Sequence, residues 1–178
     1  MRRIHALWLV LPIILAACTP PPPTLGPDGQ PLPRVYDISA SDTGRIQFAI
    51  LDSVNVLRQA GGRSALALNP QLNAAAATHA RDMAVQNRPW HFGSDGSSPP
   101  ERTARSGYPG QFRAELISET YETELETLAA WMEDPATREM ILDPEARDLG
   151  FSWYQEPNGK LWWTMVLGGS GPQVIPDS

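Results

Sequence analysis

Between Thr43 and Leu57 the apolar side chains Ile46, Ile50, Val54 and Leu57 recur every three or four positions. That period lines one face of an amphipathic helix, with Ser41 and Asp42 as candidate caps and Gly61-Gly62 as its stop. A second helix opens at Asn69-Pro70, a cap followed by a first-turn proline, and carries Leu72, Ala76, Ala80 and Met83 on one face. The alanines Ala75 and Ala76 let it pack closely. From Pro89 to Arg113 the chain is rich in Gly, Ser and Pro, with turn signals at Asp95-Gly96 and Pro109-Gly110, and reads as one long loop. A loop of that length in a small domain points to function. Ala114 to Tyr121 reads as a strand, and Thr123-Glu124-Leu125-Glu126 as a capping box whose helix presents Leu125, Leu128, Ala129 and Met132. Asp134 caps a short helix from Pro135 to Leu142, which Asp143-Pro144 ends. Two strands, Phe151 to Glu156 and Leu161 to Leu167, then face each other across a turn at Asn158-Gly159. Helices come first and an antiparallel sheet gathers late, so the class is α+β, with no internal repeat.

The N-terminus follows a different logic. Arg2, Arg3 and His5 precede an apolar run from Ala6 to Leu15, the layout of a secretory signal and too short to span a bilayer comfortably. The run ends in Leu15-Ala16-Ala17-Cys18, which resembles a bacterial lipoprotein box; the alternative is an ordinary signal with an incidental cysteine. Lipid on Cys18 would tie the chain to a membrane, and Thr19 after it, by resemblance to lipoproteins of double-membrane bacteria, favours the outer membrane, facing the periplasm. Thr19 to Pro33 holds seven of the 18 prolines and almost nothing to bury. It is a tether, extended at about 3.1 Å per residue in polyproline geometry. The expected organisation is therefore a signal peptide at 1–17, lipidated cysteine and tether at 18–40, a folded domain at 41–169 and a tail at 170–178.

The chain has 178 residues and 42% apolar content, with 14 Lys plus Arg against 20 Asp plus Glu for a net charge of -6. Arg2 and Arg3 leave with the signal, so the remainder carries 12 basic and 20 acidic groups, a net charge of -8. Without clustered cations it is not built for nucleic acid. The single cysteine, Cys18, excludes an internal disulfide and a Cys-based zinc site.

An ordered set of residues resembles the CAP superfamily, the cysteine-rich secretory, antigen 5 and pathogenesis-related proteins, in its bacterial cysteine-free form. The set comprises Asn55-Val-Leu-Arg58; Leu72 to Ala76 with His79-Ala80 and Asp82-Met83; His91-Phe-Gly93 with Asp95-Gly96; Arg102; Gly107-Tyr108; Ala114-Glu115-Leu116-Ile117; Trp131-Met132; Asp134-Pro135 with Arg138; Ile141-Leu142; Leu149-Gly150-Phe151; and Trp163-Thr164. The resemblance implies a three-layer α-β-α sandwich with a mainly antiparallel sheet. It also implies a cleft of two histidines and two carboxylates able to hold zinc. His91 matches the first histidine and Glu115 the first carboxylate; the second carboxylate falls at Asp134, with Glu133 as a neighbouring register. Thr137 stands where the family has its second histidine. A hydroxyl is a poor zinc ligand at neutral pH, so the resemblance implies weak zinc binding or none, and no other cofactor.

The same residues admit plainer roles. His91 can sit between Trp90 and Phe92 and donate to a backbone carbonyl; Glu115 can pair Arg102 or Arg113; Asp134 can serve only as a helix cap. His79, on the packed side of the second helix, reads as structural, and Trp131, Trp153, Trp162 and Trp163 read as core. There is no Gly-x-Ser-x-Gly, and only two histidines follow the signal, so a nucleophilic triad has little to be built from. The expected function is a membrane-tethered envelope module that binds a lipid, peptide or cell-envelope ligand. The alternatives are a peptidoglycan or peptide hydrolase using His91 and Glu115, and a structural envelope protein.

Overall fold

The computed structural model describes residues 36–171; the signal, Cys18, the tether through residue 35 and residues 172–178 lie outside the described residues. Helix α1 spans Thr43–Ala60 and buries Ile46, Ile50 and Val54 completely. Its entry differs from expectation. Ser39, ahead of Ser41 and Asp42, forms the capping box of a preceding 3₁₀ turn, and Asp42 reaches back to the Ser39 amide at 3.0 Å. Helix α2 spans Pro70–Gln86, its first turn capped by Asn69 Oδ1, which accepts from the Gln71 and Leu72 amides at 3.0 and 3.1 Å.

The long Pro89 to Arg113 segment is not all loop, because it contains helix α3, Pro99–Arg105. Ser98 and Glu101 cap it reciprocally, a Ser-Pro-Pro-Glu box hidden within a Gly- and Pro-rich stretch. Helix α4, Glu124–Glu133, buries Glu124, Thr127, Leu128 and Trp131, whereas Leu125 is 46% exposed. The expected stripe is therefore rotated by about a residue. Trp131, the largest side chain of the helix, takes the core position and its indole donates to the Ile117 carbonyl at 3.3 Å. Helix α5, Pro135–Ile141, follows directly.

Strands β1 (Ala67–Leu68), β2 (Gln111–Thr120), β3 (Ala146–Gln155) and β4 (Leu161–Gly169) lie in the order β1-β3-β4-β2. The β2-β4 and β3-β4 ladders are antiparallel, but β1 joins β3 in parallel, so the sheet is mixed. A two-residue strand between helices has too little pattern to be read from sequence. Central strand β4 is buried along all nine residues because helices cover both of its faces. On one side α1, α4 and α5 enclose a core that includes Leu116, Phe151, Trp163 and Met165. On the other, α2 packs on Val166 and Trp162, with α3 beside it. The close approach of α2 needs Gly150: a Cβ there would lie 2.2 Å from the Leu72 carbonyl carbon. This is a three-layer α-β-α sandwich. The folded unit reaches back to Tyr36, since Gln155 accepts from the Ile38 amide at 2.9 Å and Tyr36 and Ile38 pack on the core.

Candidate functional site

The site forms on the α2 side of the sheet, where β2 turns Glu115 away from the Ala114 and Leu116 core positions. The Glu115 side chain is 3% exposed, a costly place for a carboxylate without partners. Arg102, on α3 and itself 7% exposed, supplies the charge: one terminal nitrogen lies 2.9 and 2.8 Å from the two carboxylate oxygens. That nitrogen also donates to the His91 carbonyl at 2.8 Å, and the other terminal nitrogen to the Ser97 carbonyl at 2.7 Å. The guanidinium thus holds together α3, strand β2 and the loop that carries His91.

His91 places Nδ1 3.0 Å from Glu115 Oε1 with its side chain half exposed. Gln86 in the last turn of α2 grips both flanks of the loop. Its oxygen accepts from the Trp90 indole at 2.8 Å and its amide donates to the Phe92 carbonyl at 3.2 Å. The Trp90 and Phe92 rings meet at 5.7 Å, and the Arg88 guanidinium lies 3.8 Å from the Trp90 ring centre. The role of a buried histidine on a backbone carbonyl belongs to His79, which is fully buried with Nε2 3.0 Å from the Trp90 carbonyl and 3.5 Å from Glu115 Oε1. Burial pushes the His79 pKa below the ordinary imidazole value, and the Glu115 charge opposes this in part. His79 Nδ1 and Arg102 Nε are buried without a hydrogen-bond partner.

Two imidazoles, a carboxylate and a guanidinium therefore meet at one oxygen. Sequence reasoning placed His79 in the core, and its position on the Ala76-Ala80-Met83 face is indeed a core position; what no periodicity reveals is that β2 brings Glu115 underneath it. Arg113, the other candidate partner of Glu115, instead pairs Asp143 at 2.7 Å. Asp134 and Thr137 bond within the α4-α5 connection. Asp134 Oδ1 accepts from the Ala136 amide at 2.7 Å, capping α5, and the Thr137 hydroxyl donates to the Trp131 carbonyl. Neither shares a hydrogen bond or ion pair with His91 or Glu115.

Next to this cluster a groove of about 380 Å³ runs between α2 and α3, floored by the small residues Ala74, Ala75 and Thr78 and walled by Asp82, Arg102 and Arg105. Arg102 is common to the groove and the cluster. Chemically the cluster offers a fixed carboxylate-imidazole pair at the surface. As a zinc shell it fits poorly, because both Glu115 oxygens face a guanidinium and the Thr137 hydroxyl is engaged by a carbonyl. Among the described residues no group of three or more His, Cys, Asp or Glu is arranged to hold a metal ion.

The layered fold and the Glu115-centred cluster define a class, and comparison with known proteins places the chain in it. Residues 51–167 match the model of the CAP family, the cysteine-rich secretory proteins, and the chain belongs to that family. Solved structures agree on the fold. An outer surface protein of Borrelia burgdorferi superposes with a TM-score of 0.65 at 16% identity, covering 73% of this chain and 96% of that one. An extracellular protein of Bacillus anthracis that contains an SCP domain gives 0.66 at 20% identity, covering 75% of this chain and 45% of that one. A cysteine-rich secretory protein of Staphylococcus aureus gives 0.59 at 12% identity, covering 76% and 42%. The chain thus spans less than half the length of the latter two proteins. Among curated proteins none matches. No helix of the described residues is long and apolar enough to cross a membrane.

Proposed function

We propose that this chain is a lipid-anchored protein of the bacterial cell envelope, held through Cys18 to the outer membrane facing the periplasm, whose CAP domain binds a lipid, peptide or peptidoglycan fragment. The observation that carries the binding reading is the shared arginine. Arg102 locks Glu115 on one side and lines a groove of about 380 Å³ on the other, so the polar cluster serves as a rigid wall for a ligand. A hydrolase would add a nucleophile or a second acid beside His91, and Glu115 is its one polar side-chain partner among the described residues. The outer-surface and extracellular relatives support an envelope location. The Leu15-Ala-Ala-Cys18 register supports the anchor, which several acyl chains would make firm at about 0.8 kcal/mol per buried methylene.

One observation favours hydrolysis as the second reading: Glu115 engages Nδ1 of a half-exposed His91, which makes Nε2 a candidate base. Incubation of the purified protein with peptidoglycan separates the two. Binding without released fragments, weakened by lining substitutions such as Thr78→Trp, is the expected result. Fragment release that disappears in both His91→Ala and Glu115→Ala would replace the binding module with a hydrolase. For the anchor, Cys18→Ser is expected to move the protein from the membrane to the soluble fraction; unchanged retention, with no lipid on Cys18 by mass spectrometry, would refute it.

A further inference from the structure

We infer that Arg102 is a built-in cation occupying the electrostatic place that a zinc ion would take in this cleft, so that the site assembles without metal and rejects it for as long as the guanidinium is present. A carboxylate buried to 3% exposure requires a positive partner. That charge comes from the chain itself: Arg102 bridges both Glu115 oxygens at 2.8 and 2.9 Å, and the same nitrogen fixes the His91 carbonyl at 2.8 Å. These contacts reproduce what a metal does for a loop, tying the His91 segment to β2 through one central charge. They also bar the ion, since a guanidinium cannot be deprotonated and any divalent cation on Glu115 would sit beside it. Both terminal nitrogens of the arginine are engaged, one by the Ser97 carbonyl and the other by Glu115 and the His91 carbonyl, while Nε is buried without a partner.

The substitution Thr137 for histidine follows the same logic. With the charge of Glu115 already balanced, a second imidazole ligand has nothing to complete, and the Thr137 hydroxyl instead joins α5 to the Trp131 carbonyl. The inference holds whether the domain binds or cleaves its ligand, so its failure leaves the binding proposal standing.

The test is thermal unfolding of the full chain in detergent, with zinc chloride and with a chelator, for wild type, Arg102→Met, Arg102→Lys, and Arg102→Met combined with His91→Ala. Wild type is expected to melt at the same temperature in zinc and in chelator. Arg102→Met leaves the buried carboxylate unpaired beside two imidazoles, so its melting point should fall, and saturating zinc should restore about 5 °C of it. The zinc response should vanish when His91→Ala is added and be absent in Arg102→Lys, which keeps the cation. A purely structural arginine would lower the melting point without creating any zinc response. A His91-dependent rise in wild type with zinc would overturn the inference, as would an Arg102→Met protein that folds and ignores zinc. Should Arg102→Met fail to fold even with zinc, the wild-type titration by calorimetry decides: measurable His91-dependent binding overturns the inference, and its absence supports it.

Discussion

The two faces of the sheet each bury an arginine, and they use it in opposite ways. On the α1 side Arg58 is fully buried and hydrogen-bonds no carboxylate, though the Asp143 charge lies near enough to favour its cation; it donates to the carbonyls of Ser64, Ile141, Asp143 and Ala146 at 2.6 to 3.3 Å. The acceptors include the C-terminal turn of α5, where a helix dipole favours a cation. Each of the three guanidinium nitrogens is committed inward, so Arg58 is a staple between α1 and the α5-β3 connection. On the α2 side Arg102 pairs a carboxylate, leaves a donor without a partner and forms part of a groove wall. A buried charge marks a site when its network reaches solvent, as it does through half-exposed His91; a charge hydrogen-bonded wholly to backbone marks architecture.

This contrast can be broken most severely at Arg58. Arg58→Ala should strand buried carbonyls and cost about 5 kcal/mol, near the whole stability of a small domain, with no effect on ligand binding per folded molecule. Urea unfolding of Arg58→Ala and Arg58→Lys checks this, and near wild-type stability in the alanine variant would show that the staple is dispensable. The two neighbouring tryptophans of β4 probe the faces next. Trp163 stacks on Phe151 at 5.2 Å in the α1-side core, so Trp163→Ala should cost about 4 kcal/mol. Trp162 is fully buried on the α2 side yet lies 4.4 Å from the Lys160 ammonium, and its indole donates to Glu156, so Trp162→Ala should cost less, about 3 kcal/mol. The reverse order in denaturant melts would invert the assignment of layers.

A smaller effect separates the faces by pH. Burial lowers the His79 pKa in the folded state below its ordinary 6.5, so the unfolded chain binds the proton more readily. The stability from keeping His79 neutral is thus fully present above about pH 6.5 and declines as the pH falls below that value. Unfolding measured from pH 8 to pH 5 should show this slope in wild type and a flatter one in His79→Gln; equal slopes would assign the pH dependence to other groups. Smallest is the cap. Asp134→Ala should cost about 1 kcal/mol by removing the bond to Ala136, and leave the His91-Glu115 pair unchanged in NMR spectra. A shift in the His91 ring signals would instead bring Asp134 into the cleft.

How much of this was legible beforehand depended on whether the signal was local. Helices α1 and α2 and the Asn158-Gly159 hairpin were readable because each carries its own period, cap or turn. Helix α3 is not legible in the pattern although Ser98-Pro-Pro-Glu101 encodes its start, because the surrounding prolines and glycines outweigh a seven-residue helix. On α4 the pattern allowed two neighbouring stripes, and only packing against β2 selected the one with Trp131 inward.

By itself, then, the chain's order of residues determined the α+β class, the family and the presence of His91 and Glu115 as candidate partners. The tertiary structure alone decided that Glu115 takes Arg102 and not Arg113, that His79 lies over the same oxygen, and that Asp134 and Thr137 bond within their own connection. The reason is physical. Helical and strand periods are properties of residues a few positions apart, whereas the partner of a buried charge is set by which distant backbones the packing of α2 and α3 on β2 brings within 3 Å.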